Sequence, residues 1–204
     1  KSKKCGVGLA RRVGLDSALA SYVGEDEKLA LVCLDADTWV NEDYLSEILD
    51  WQQACRDQGS ASIPFAHRLP DEAKNRAAIV IYELFLRYYV GGLRSIGHFY
   101  AHHSIGSAIV TRPETYIAVR GMSLRLAAED FYFLDKACKF TPVGVVAKAQ
   151  VQPSARQSER VIFGTGRFVL DQLLSPKLKF FYDFRSFEVI ARIRECMLSN
   201  SSSA

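Results

Sequence analysis

Residues 29–39, LALVCLDADTW, form an apolar run that ends in two carboxylates, Asp35 and Asp37. A short run rich in Leu and Val fits a strand buried on both faces, as in a parallel sheet. Ligands of open α/β sheets bind beyond the carboxyl ends of such strands, where both aspartates would lie. On extended backbone, side chains two apart project to the same side. Neighbouring carboxylates repel unless something positive lies between them, and a divalent cation with oxygen ligands meets that need. The pair therefore predicts a metal site suited to phosphate. The plainer alternative is a strand leading into a capped helix, with Asp37 or Asn41 as the cap.

Outward from this run, helical and strand-like segments alternate. Helices are predicted over 8–21, 41–56, 71–90 and 129–139, and over 167–198 with a break at Pro176. Gly91-Gly92 reads as the stop of the third of these. Strands are predicted at 61–66, 107–111 and 143–151, and 152–166 reads as a polar loop. The alternation predicts an α/β domain with a mixed, mainly parallel sheet flanked by helices. Residues 1–175 would form it, with 176–204 as a helical extension and tail.

At 204 residues and 49% hydrophobic, the chain is large enough to bury one real core. The net charge of +3 is small, and the basic residues are scattered without interleaved aromatics, which argues against nucleic-acid binding. The five cysteines lie far apart with no CxxC pair, so neither a disulfide framework nor a zinc site is expected, and a reducing cytoplasm fits. No run approaches the length of a membrane span. The aromatic and basic stretch at 178–198 would dock on the core or on a second copy in a homodimer; the alternative is a peripheral contact at the inner face of the membrane.

Two further groups carry chemistry. Glu129-Asp130 opens a helix with an apolar face, either as acids that complement the helix dipole or as a general base beside a cleft. The loop SARQSERVIFGTGR supplies Ser154, Arg156, Ser158 and Arg160, donors suited to phosphate, unless it is simply a solvated basic loop. Gly164 and Gly166 would keep it mobile, as a lid requires. His98, His102 and His103 lack zinc-site spacing, and at most His102 or His103 would join Asp37.

Order and spacing together resemble the family-two glycosyltransferases of the nucleotide-diphospho-sugar transferase (GT-A) fold, over most of the chain. GVGLARRVGLDSAL is similar to the family's G-x-x-x-ARN-x-G-x-x-x-A stretch, with Arg12 where Asn is common. LDADTWVNEDYLSEIL resembles its metal-binding D-x-D and following helix. GSAIVTRPETYIAVRGM, from Gly106 and Ser107 to Met122, resembles its acceptor-side segment, with Arg120 replacing the first Gly of a pair. AAEDFYFL matches the ED motif. The resemblance implies that Asp37 holds Mn²⁺ or Mg²⁺ on the diphosphate of a nucleotide-diphospho-sugar donor. Asp35 would lie beside the ribose or the same ion, Arg11 near the donor, and Arg156 and Arg160 on phosphate. Asp130 would be the base towards a saccharide or lipid-linked acceptor, with Glu129 orienting the acceptor or the loop. Gln157 to Val161 is similar to the Q-x-x-R-W motif of processive members, and Val161 in place of Trp argues against processive synthesis. The family's opening strands, one with V-x-I-P-x-x-N and one with an Asp for the nucleobase, do not precede Lys1, so an N-terminally incomplete domain is expected. The implied function is metal-dependent, inverting sugar transfer. Alternatives are a non-catalytic relative that binds, or a sugar nucleotidyltransferase.

Overall fold

The computed structural model describes residues 6–22, 29–159, 164–174 and 181–201. Arg160, Val161, Pro176 and the turn at 24–28 lie outside them. In chain order the elements are α1 (Val7–Ser21), β1 (Leu31–Cys33), β2 (Trp39–Val40), α2 (Tyr44–Ala54), β3 (Ser60–Ser62), α3 (Ala73–Ser95), β4 (Ile109–Thr111), α4 (Pro113–Ala118), α5 (Glu129–Phe140), β5 (Val143–Val145), β6 (Val151–Gln152), α6 (Thr165–Leu174) and α7 (Arg185–Ser201). The fold is mixed α/β.

The main sheet has the order β1-β4-β3-β5. Strands β3 and β5 run parallel, but β4 is antiparallel to both β1 and β3. The mainly parallel sheet expected from the alternation is thus corrected. A parallel return needs a crossover that carries the chain back to the starting edge. Here α3 and the non-helical segment 96–108 bring it back to the end where β3 leaves, so Ile109 opens β4 opposite Ser62. Cys33 at the end of β1 also faces Ile109. The residues just after β1 and just before β4, Asp35 and Gly106-Ser107, therefore share one end of the sheet.

Period-two alternation sorts the strands between two cores. Leu31, Cys33 and Ile109 pack with Leu15 of α1, Tyr116 of α4 and Phe133 and Leu134 of α5. Ala61 and Val110 face the other way, onto Tyr44, Ile48 and Trp51 of α2, whose four- and three-residue spacing makes one helical stripe. Arg112 closes α2 by donating to the carbonyls of Gln52 at 2.5 Å and Cys55 at 3.2 Å, which satisfies groups the helix end leaves open. A third cluster joins Ala78 and Ile79 of α3 to Val169 of α6.

Several local expectations are corrected by tertiary partners. The 143–151 strand is two, β5 and β6, and β6 pairs antiparallel with β2 as a separate ribbon. Asn41 does not cap α2; its side chain accepts from the Gln150 N–H at 2.8 Å and donates to the Lys148 carbonyl at 3.1 Å, extending that ribbon. Gly91-Gly92 does not end α3, which continues to Ser95. A Cβ at Gly92 would run into the ring of Phe187, so the glycine is a notch that seats α7. Arg120, at the position where the similar motif has Gly, adopts φ 63° beside Gly121 at φ 73°. A side chain in that left-handed region costs roughly 1 kcal/mol. Among the described residues no helix is long and apolar enough to cross a membrane, and Cys33, Cys55, Cys138 and Cys196 are free thiols.

Candidate functional site

Helix α1 approaches the start of α5 closely because Gly8 has no side chain: a Cβ there would meet the Ser123 and Arg125 carbonyls and the Glu129 side chain. One turn later Arg11 lies across Gly106, where again only glycine leaves room. From that position the guanidinium donates to Asp35 Oδ1 at 2.7 Å and pairs with Glu129 Oε1. Two acidic groups far apart in sequence thus share one cation. Glu129 is buried, at 3% exposure, and a buried carboxylate is tolerated only when paired in this way. Burial by itself would lower the Arg11 pKa, but the Asp35 and Glu129 charges more than offset it and hold the guanidinium above its ordinary range.

Asp130, the next residue, is half-buried and accepts from the Phe131 N–H at 2.8 Å. Burial and then the charge of Glu129 push its pKa from 3.8 up to about 6, against the opposing pull of that N–H and Arg11. A carboxyl poised near neutrality in a cleft is suited to exchanging a proton. Cys33 nearby is no competing nucleophile, since burial pushes its thiol up to about 12.

Asp35 and Asp37 do not lie on extended backbone as expected. Residues 36–37 form a turn, closed by Thr38 N–H to the Asp35 carbonyl at 3.0 Å. Asp37 therefore pairs with a different arginine, Arg156, at 3.0 Å. The β2–β6 ribbon makes that meeting, because the chain leaving β6 runs directly into the loop that bears Arg156. Arg68 fixes the turn from below: it stacks on Trp39 with its guanidinium carbon 4.2 Å from the ring centroid, and donates to the Asp37 carbonyl at 2.7 Å. Nothing in the sequence singled Arg68 out, since its hydrogen bond is to a main-chain carbonyl and its ring partner is far off in sequence. Gly166 lets the loop pack closely, because a Cβ there would strike Ser158 and the Arg156 carbonyl.

Asp35, Asp37, Arg11, Glu129, Asp130, Arg156, Gly106 and Ser107 all line a single cleft of about 1720 Å³, with Ser154 and Ser158. Arg160 lies outside the described residues. His102 and His103 also line the cleft. Burial, and then Arg87 and Arg94, depress His103 to about 4, so its imidazole is neutral, and its ring stands edge-on to Phe65 at 5.0 Å. Among the described residues no three His, Cys, Asp or Glu side chains converge to hold a metal ion. Asp35 and Asp37 supply the oxygen donors that a hard divalent cation takes, but each is paired with an arginine, Arg11 and Arg156, which such an ion would have to displace.

No protein-family model and no curated protein matches this chain.

Proposed function

We propose that this cleft transfers a sugar from a nucleotide-diphospho-sugar to an acceptor hydroxyl with inversion, as a glycosyltransferase of the GT-A type. The supporting observation is the Arg11 bridge, which ties Asp35 of the D-x-D turn to Glu129 in the lining of one cleft. A divalent cation on Asp37 and Asp35, Mn²⁺ or Mg²⁺, would neutralise the charge that develops on the departing diphosphate. Arg156, the partner of Asp37, would contact the same phosphates. Asp130 accepts the proton of the acceptor hydroxyl as its oxygen bonds to the anomeric carbon. The bond from that carbon to the diphosphate oxygen breaks on the opposite face. Glu129 keeps Arg11 in place and, through its charge, keeps Asp130 basic enough for the task.

Calorimetric titration of UDP and GDP with Mn²⁺, combined with a radiolabelled sugar-transfer assay, tests this. Asp37→Ala should weaken metal-dependent nucleotide binding at least tenfold. Asp130→Asn should bind the nucleotide as the wild type does but lower kcat by about 10²–10⁴. The wild-type rate should rise with pH through about 6, as Asp130 loses its proton. Equal binding by Asp37→Ala overturns the metal assignment, and nucleotide binding without turnover leaves a binding domain in place of an enzyme.

A further inference from the structure

A second chain of hydrogen bonds, separate from the Arg11 bridge, reaches the cleft through Thr165. The His67 side chain has no exposed surface, yet both ring nitrogens are engaged. Nδ1 lies 2.8 Å from Glu83 Oε1 on α3, and Nε2 lies 3.0 Å from Thr165 Oγ1 at the start of α6. Phe65 and Tyr82 stand edge-on to the imidazole, with centroids 5.7 and 5.9 Å away, and hold its plane. Glu83 also accepts the His67 main-chain N–H, and Arg87 donates to its other oxygen at 2.6 Å. Burial alone would raise the Glu83 pKa, but the His67 and Arg87 donors outweigh it and hold the carboxyl below its ordinary range. A carboxylate only accepts, so Nδ1 carries the proton. In the neutral imidazole the lone pair is then at Nε2, facing the Thr165 hydroxyl.

Neither His67 nor Glu83 lines the cleft, whereas Thr165 is half-buried in its lining. The threonine is not needed to close its helix, because the Phe168 N–H bonds to the Gly164 carbonyl at 3.0 Å and makes Gly164 the cap. The N–H groups of Gly166 and Arg167, in the first turn, have no acceptor within α6. Such donors beside an activated hydroxyl suit a carbonyl whose oxygen gains charge on attack.

We propose that Thr165 is a nucleophile for acyl transfer from a small carboxylic ester, with His67 as its base and Glu83 as the residue that orients His67. An acid, an imidazole and a hydroxyl in this order are recognised by geometry and role, not by sequence position. Thr165 Oγ1 bonds to the acyl carbon as its proton passes to His67 Nε2. The C–O bond of the ester breaks, and the alkoxide leaves with that proton. Water then attacks the acyl-threonine, giving its proton to Nε2, and Thr165 Oγ1 takes that proton as the carboxylic acid departs. Neither nucleotide nor metal takes part, so this activity stands or falls apart from sugar transfer.

The full chain is mixed with p-nitrophenyl acetate, without nucleotide or metal, in stopped flow, and the acid-quenched protein is mapped by peptide mass spectrometry. A burst of nitrophenolate of about one equivalent is expected, with the acetyl group on Thr165. Thr165→Ser should keep the burst, and Thr165→Val, which keeps the shape without the hydroxyl, should abolish it. His67→Gln should slow it by about 10²–10⁴. Glu83→Gln should keep the amplitude and slow the rate at least tenfold, a split that a merely structural role would not produce. A wild type without a burst overturns the proposal, as does acetyl found on lysine or cysteine alone, or a burst that survives Thr165→Val. The Ser and Val variants, matched in circular dichroism, decide the matter even where His67→Gln fails to fold.

Discussion

At one end of the cleft Arg11 spans Asp35 and Glu129 while Arg156 pairs with Asp37; at the other, Phe85, Tyr89, Tyr182 and Ile190 face the same space without a charge among them. The polar end takes its shape from charges that must be neutralised, so each group there fixes another. The apolar end takes its shape from how two helices pack, and its side chains constrain one another only through contact area. The difference teaches where each end is fragile. Removing one ion strands its partners, whereas removing one apolar side chain loses only its own surface.

Arg11→Ala should show the largest effect, because it leaves Glu129 buried and unpaired. The expected loss is about 3 kcal/mol in urea denaturation, since breaking a buried pair exposes the full desolvation penalty of the survivor. Arg11→Met combined with Glu129→Gln should recover most of it, with no buried charge left to satisfy. A loss below about 1 kcal/mol for the single substitution would break the contrast between the two ends.

Two neighbouring glycines sharpen the contrast from the apolar side. Gly92→Leu drives a side chain into the seat of Phe187 and should cost about 2 kcal/mol as α7 shifts. Gly91 has nothing within reach of an added Cβ, so Gly91→Ala should stabilise α3 by about 0.5–1 kcal/mol. Denaturation midpoints that move together for the pair would mean that Phe187 does not anchor the helix.

The same division governs what could be read from the sequence. Asp35, Asp37, Glu129, Asp130 and Arg156 announce themselves by residue type and spacing, while Arg11 enters only through the family resemblance. All of them line one cavity. Gly92 gives no such signal: a glycine that stops a helix and one that admits a ring look alike until Phe187 is placed against it. Arg68 was equally silent, and Asn41 was read as a helix cap, since each bonds main-chain atoms of a distant segment. The direction of β4 depends on where the 96–108 segment returns, and no local pattern encodes that. The apolar wall reads as the inward stripe of a helix, and only the assembled fold leaves it facing space.

The last effect, well below the Arg11 loss, bears on whether the polar end is poised for chemistry. Asp130 has its pKa raised from 3.8 to about 6, so the folded chain binds this proton more tightly than the unfolded chain does. Below about pH 4 both states hold the proton, and the group is neutral to stability. Between about pH 4 and 6 the unfolded chain releases it first, so stability falls as pH rises, and above 6 the penalty is complete. Half-buried and partly screened, the group should contribute a penalty on the order of 1 kcal/mol, less than the bare shift implies. Asp130→Asn should therefore melt higher than the wild type at pH 7.5 and level with it at pH 4, in calorimetric scans at the two values. A gain that appears only where the carboxylate is charged, in the variant that also loses transfer, is the expected mark of a base held against its own electrostatic preference. An equal gain at both pH values would instead mean that the asparagine simply packs better, and Asp130 would lose its claim to the proton.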